Sequence, residues 1–191
     1  VNTLLGKSLS IATVAQYIEN PLGSGIAYLA PINASTVAIY NSRDFIEAQS
    51  EESKIYIGCD SESYRKNNKR YADYYLVVVI HIDQLHGCKI FGEKITELDY
   101  SADKKKPTYR LMNEVYKASN LYLELAESIG NRDCEIHLDI NTEKKYASSI
   151  VLDQAIGYVK GTCNIIPLVK PDSWAATHVA DKMLKTVRRV K

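Results

Sequence analysis

Phenylalanine and tryptophan are scarce in this chain of 191 residues, with 2 Phe and 1 Trp against 14 Tyr. Its aromatic surface is carried by rings with a hydroxyl, which settle half-buried or at contact surfaces more readily than Phe does. Net charge is nearly absent too, at +1 with histidine neutral. That excludes a global basic field, so any affinity for nucleic acid has to come from local patches. No apolar run approaches the ~20 residues of a membrane span, and no membrane partner is expected. The first residues show neither the basic start nor the continuous apolar stretch of a secretory signal. The four cysteines, Cys59, Cys88, Cys134 and Cys163, include no C-x-x-C pair, which removes the usual spacing of a zinc site or a redox couple. Buried free thiols in a reducing compartment are the simplest account, and the expected location is cytoplasmic. In that setting the sequon Asn33-Ala34-Ser35 is incidental. Internal repeats and low-complexity segments are missing as well.

What is present fits one domain with an extension: 46% hydrophobic and 25% charged residues, in a chain long enough to bury a core. Residues 1–41 read differently from the rest. Leu4 to Ile18 suits a short amphipathic helix, Asn20 to Gly25 breaks it, and two small apolar pieces follow at Ile26–Leu29 and Thr36–Tyr40. This part is expected to be an extension, packed on the main domain or on a protein partner, with the domain proper at 42–191. Ser42 is placed to cap a short helix to about Gln49.

From Lys54 the order becomes regular. The runs 54–61, 71–82 and 88–98 read as three antiparallel strands joined by hairpins. Pro107 then opens a helix over 108–129, where Leu111, Val115, Ala118, Tyr122, Leu125 and Ile129 make one buried stripe. A fourth strand spans 133–140, and a helix from Asn141 or Thr142 to about Lys160 follows, with Gly161 as its stop. A fifth strand is expected at 163–169. Asp172 or Ser173 then caps a last helix from Trp174 to about Val187. The order β-β-β-α-β-α-β-α predicts an α/β fold, with a five-stranded mixed sheet and helices on both faces. It looks like the ribonuclease H fold.

Four acids fall at suggestive places in that order. Asp60 follows Lys54-Ile55-Tyr56-Ile57-Gly58-Cys59, a β-branched and aromatic run suited to a buried strand. A carboxylate leaving such a strand needs a cation or a metal beside it, because an isolated buried charge is costly. Asp139 ends the fourth strand, which neighbours the first in a ribonuclease H-like sheet. Glu114 stands about 60° from the centre of its helix's buried stripe, within reach of a sheet edge. Asp181 lies on the last helix, on the side shared with Trp174, His178 and Lys185. Hard oxygen donors gathered in one volume suit Mg2+ or Mn2+, and a metal pair clamps both oxygens of a phosphodiester displacement. His178 is the candidate proton donor or acceptor, though a surface histidine is the commoner role for such a residue. Asp172 reads better as a helix cap than as a ligand. Three basic runs, Arg65–Arg70, Lys104–Lys106 and Lys185–Lys191, suit phosphate contacts or plain solvation. Tyr64, Tyr71, Tyr74 and Tyr75 around the first suit a nucleic-acid groove or core packing equally.

The segments I-G-C-D-S (57–61), H-L-D-I (137–140) and K-P-D-S-W-A-A-T-H-V-A-D-K (170–182) resemble the YkuK-type family of ribonuclease H-like proteins. The likeness runs from about Ser42 to Lys185 and does not extend to residues 1–41. It implies a ribonuclease H-like fold and a metal site at Asp60, Asp139 and Asp181, with Glu114 added from its place in L-M-N-E. The resulting expectation is a metal-dependent nuclease acting on RNA, an RNA–DNA hybrid or structured DNA. Its rival is a catalytically silent binding or assembly module that docks a protein partner through residues 1–41.

Overall fold

A computed structural model describes residues 28–29, 37–101 and 107–182. The expected helix at Leu4–Ile18 and the basic runs Lys104–Lys106 and Lys185–Lys191 lie outside the described residues. The elements in chain order are β1 (Tyr28–Leu29), α1 (Val37–Glu47), β2 (Lys54–Lys66), β3 (Lys69–His81), β4 (Cys88–Leu98), α2 (Thr108–Ile129), β5 (Cys134–Leu138), α3 (Leu152–Cys163) and a π-helical segment, Ala175–Ala180. The expected α/β architecture with a mixed sheet forms. Its body is four strands in the order β4-β3-β2-β5, and the two-residue β1 runs parallel along the outer edge of β4.

The β2–β3 hairpin is longer than its sequence suggests. Asn67 and Asn68 both take positive φ, 50° and 60°, which makes a two-residue turn matched to strand twist. Pairing therefore continues out to Lys66 opposite Lys69, and the run Arg65–Arg70 is the hairpin's end rather than a loop. One consequence bears on the site: Asp60 lies within β2, paired with Tyr75, and not at the strand's end. Side chains alternate faces along β2. Ile55, Ile57 and Cys59 join Tyr74, Leu76, Val78 and the buried stripe of α2 in the larger core. Tyr56 joins Tyr75, Val77, Val79 and the last segment's Ala175, Val179 and Ala180 on the other face. Helical segments thus cover both faces, and Tyr74 and Tyr75 are core residues rather than groove walls.

The fifth strand expected at 163–169 does not form. Cys163 ends α3, and Asn164 takes the left-handed conformation at its C-terminus, its N–H donating to the Lys160 carbonyl. Gly161 is therefore inside the helix. Pro167 has no N–H to give a ladder, so the segment touches the sheet at one residue, Leu168, bridged to His137. Its N–H donates to Ile136 O at 2.9 Å and its carbonyl accepts from Leu138 N at 2.9 Å. Two other boundaries also move. α1 begins at Val37 and buries Ser42 instead of being capped by it. The helix expected from Asn141 starts later, with a 3-10 turn at Ala147–Val151 leading into α3. The last segment has no side-chain cap at its N-terminus.

That last segment sits unusually close to the sheet, and two residues permit it. At Gly58 a Cβ would lie 2.6 Å from Ala176 N and 2.8 Å from the Ala175 carbonyl carbon. Opposite Gly58, the fully buried His137 accepts the Ala175 N–H at Nδ1 (3.0 Å). Accepting there fixes the proton on Nε2, which faces Glu135 Oε2 at 3.1 Å. Burial holds the imidazole below its usual pKa, in keeping with a neutral ring. Trp174 closes the arrangement edge-on against Tyr56, with ring centroids 4.7 Å apart. It is a packing residue of this face.

Gly58→Ala should therefore push backbone away from backbone. The expected cost is about 1–3 kcal/mol, typical of overpacking a filled site, read as a lower midpoint in urea. The emission of Trp174, the sole tryptophan, should shift with it. Unchanged stability and emission would mean that this close approach is not rigid.

Candidate active site

The sheet brings together residues 79 apart in sequence. β2 and β5 are parallel, and their last pair is Cys59 with Leu138. One residue further along each chain stand Asp60 and Asp139. Asp139 accepts hydrogen bonds from Thr177 Oγ1 at 3.0 Å and from Lys170 Nζ at 2.6 Å. The Lys170 backbone N–H donates to Ile140 O at 3.0 Å, which holds this lysine over the end of β5. From the opposite face comes Glu114 on α2, only 3% exposed. It accepts from Ser61 Oγ at 2.5 Å and from Arg110 at 3.1 Å. Arg110 also donates to the Ser61 carbonyl, so one guanidinium ties α2 to β2 beside Asp60. Asp60, Ser61, Arg110, Glu114, Asp139 and Lys170 line one cavity of about 320 Å3.

The electrostatics of this cavity are those of too many acids for too few cations. Burial, then the Asp139 charge and more weakly that of Asp181, push Asp60 up to about 7, against a smaller stabilising hydrogen bond from the Ser61 N–H. Burial and the Asp60 charge also push Glu114 well above the usual carboxylate range, with Arg110 and Ser61 opposing. Carboxylates that raise one another in this way share a small volume.

Of the residues singled out from sequence, Asp60, Glu114 and Asp139 line the cavity together. Asp181 acts on Asp60 through its charge but is not among the lining residues. His178 faces a neighbouring groove. The sequence reading missed Ser61, Arg110, Lys170 and Thr177. Arg110 had a signal, its i,i+4 spacing from Glu114. Lys170 had none, because its position depends on the irregular stretch that forms in place of the strand expected at 163–169.

The donor set consists of hard oxygens, which is the chemistry that Mg2+ or Mn2+ takes. Asp60, raised to about 7, is a carboxylate short of a cation. Yet among the described residues no group of three or more His, Cys, Asp or Glu side chains stands at metal-binding spacing. Asp139 is held by Lys170 and Glu114 by Arg110 and Ser61. The fit lies in donor chemistry, and a ready-made cage is not part of it. All four cysteines are free thiols, and none lines the cavity. Among the described residues no helix is long and apolar enough to cross a membrane.

A family model described as Ribonuclease H-like matches residues 39–185. No curated protein and no solved structure matches the chain significantly.

The raised Asp60 gives a stability test. Below about pH 3 the group is protonated folded or unfolded, since its ordinary value is 3.8. As pH climbs from there to about 7, the unfolded chain gives up its proton first, so the folded state loses stability. Asp60→Asn carries no such charge. It should match the parent near pH 3 and exceed it at pH 8 by several °C in Tm, for a gain of about 2 kcal/mol. Added Mn2+ at pH 8 should raise the parent's Tm more than the variant's. A variant less stable than the parent at pH 8 would contradict the placement of Asp60 among like charges.

Proposed function

Because the chain belongs to the ribonuclease H-like family, we propose that this pocket is the active centre of a metal-dependent nuclease, hydrolysing phosphodiesters of RNA, an RNA–DNA hybrid or structured DNA. The observation that carries the reading is the meeting of Asp60, Asp139 and Glu114 from three elements in one cavity, where burial and the neighbouring acid charges outweigh the Arg110 charge that opposes them at Asp60. Asp60, Glu114, Asp139 and Asp181 are the residues that would hold Mg2+ or Mn2+. A bound ion of this kind activates water and stabilises a leaving oxygen.

The chain's own cations have distinct parts in this reading. Lys170 places an ammonium at the cavity wall, where it suits a phosphate oxygen as well as it suits Asp139. Arg110 is committed to Ser61 and Glu114 and sets the position of the α2 carboxylate. Thr177 fixes Asp139 against the last segment. His178, which lines the adjoining groove, is the candidate for protonating a departing group. The rival reading, a silent module docking through residues 1–41, has no observation in its favour among the described residues.

Cleavage of a nucleic-acid panel in Mn2+ tests the proposal. Asp60→Asn and Asp139→Asn should each lower the rate on the order of a hundred-fold, about 2.7 kcal/mol of lost transition-state stabilisation, while melting as folded proteins. Equal cleavage by parent and variants, or none with any divalent metal, would sink the nuclease reading.

A further inference from the structure

Next to the carboxylate cavity lies a second concavity of about 410 Å3, whose walls include Asn141, Glu143, Tyr146, Lys170, Thr177 and His178. Lys170 lines both spaces. Thr177, one residue before His178, is bonded to Asp139, so the groove is held in register with the acids. Two ring side chains stand in its walls, and both are open to solvent. Tyr146 is 44% exposed without being loose. Its N–H donates to Glu143 O at 3.1 Å, and its carbonyl accepts from Ser149 N at 3.2 Å and Ser149 Oγ at 2.8 Å. Below it, Asn141 is tied to Ser148 through both backbone and side chain. The acid on this rim, Glu143, is paired with Lys145 at 2.6 Å, and the Lys145 ammonium lies 5.0 Å from the Tyr146 ring centroid. One side of the Tyr146 ring thus carries the paired Lys145, and the groove offers two exposed aromatic side chains together with Lys170, the residue it shares with the acids' cavity.

That combination is how proteins hold an unpaired base and its phosphate. A base inside a duplex has both faces covered by its neighbours and has to leave the stack before it can lie on a side-chain ring. We infer that this groove receives the unstacked nucleotide adjoining the scissile phosphodiester, its base against Tyr146 and His178 and its phosphate on Lys170, so that the substrate is single-stranded where it is cut. The inference rests on the nuclease reading for the word "scissile", and on the groove itself for the preference between strands. It also gives His178 a substrate contact that does not depend on proton transfer.

The experiment measures anisotropy of labelled single-stranded and duplex oligonucleotides with the full chain carrying Asp60→Asn, which blocks turnover. Into that protein go Tyr146→Ala, Tyr146→Phe and His178→Ala. Loss of one base-stacking contact should weaken single-strand binding on the order of ten-fold in Tyr146→Ala. Tyr146→Phe should retain it, and duplex binding should be the same in all. Single-strand affinity indifferent to Tyr146→Ala and His178→Ala, or tighter binding of duplex than of single strand, overturns the inference. Cleavage by the parent chain is followed alongside and separates the two claims. Normal cleavage with no effect of the groove variants on binding removes this inference and leaves the nuclease. Tyr146-dependent strand binding without cleavage in any metal keeps the groove and removes the nuclease. Neither binding nor cleavage removes both.

Discussion

The parallel pairing of β2 with β5 is the constraint on which the rest depends. It sets Gly58 opposite His137 and Cys59 opposite Leu138, and so delivers Asp60 and Asp139 to the same place from distant parts of the chain. It also creates the seat for the last helical segment. Gly58 leaves the space, and the His137 ring supplies the acceptor for the Ala175 N–H. A sheet edge alone would not fix Thr177 or Asp181 relative to Asp139. The bare backbone at Gly58 and the single tautomer of His137 do so, because a segment that close to the sheet has few alternative positions.

From that geometry follows an electrostatic imbalance. Glu114 is taken out of water and Asp60 is half-buried, and the cations near them, Arg110 and Lys170, are already engaged with Glu114 and Asp139. Among the described residues the Asp60 carboxylate accepts from the Ser61 N–H, at 2.8 Å. An acid buried under those terms either keeps its proton or keeps a cation beside it, and its rise to about 7 expresses that choice. The cavity is thus a place that favours added positive charge.

Much of this was legible in the residues, and the exceptions have identifiable causes. The run Ile55 to Cys59 announced a buried strand, and the 3.6-residue stripe of α2 announced its inward face. Asp60, Glu114 and Asp139 could be placed because each is one step from such a pattern. The hairpin's extent was hidden because Asn67 and Asn68 look like a loop, yet both tolerate the left-handed conformation that lets pairing run to the tip. The false strand at 163–169 came from counting apolar residues without weighing Pro167. Lys170 was missed with it, since only the single bridge at Leu168 aims that lysine at Asp139. The role of Gly58 had no signal in the strand pattern, because only the approach of the last segment requires the absence of a side chain there.

The same imbalance bears on the choice between a hydrolase and a silent scaffold. A module that only had to hold its shape would gain nothing from an acid lodged beneath α2 and another beside Asp139. Apolar replacements of buried charged groups are often neutral or stabilising. Glu114 could be defended as structural, because Ser61 and Arg110 satisfy it and join α2 to β2. Asp60 has less of one: burial and two like charges oppose its ionisation more than the Arg110 charge favours it, and among the described residues its carboxylate is bonded to the next residue in the chain. A group that weakens the fold at neutral pH and links no elements is best accounted for by something it binds. The proposed phosphodiester chemistry with a divalent ion would use Asp60 and Asp139 together.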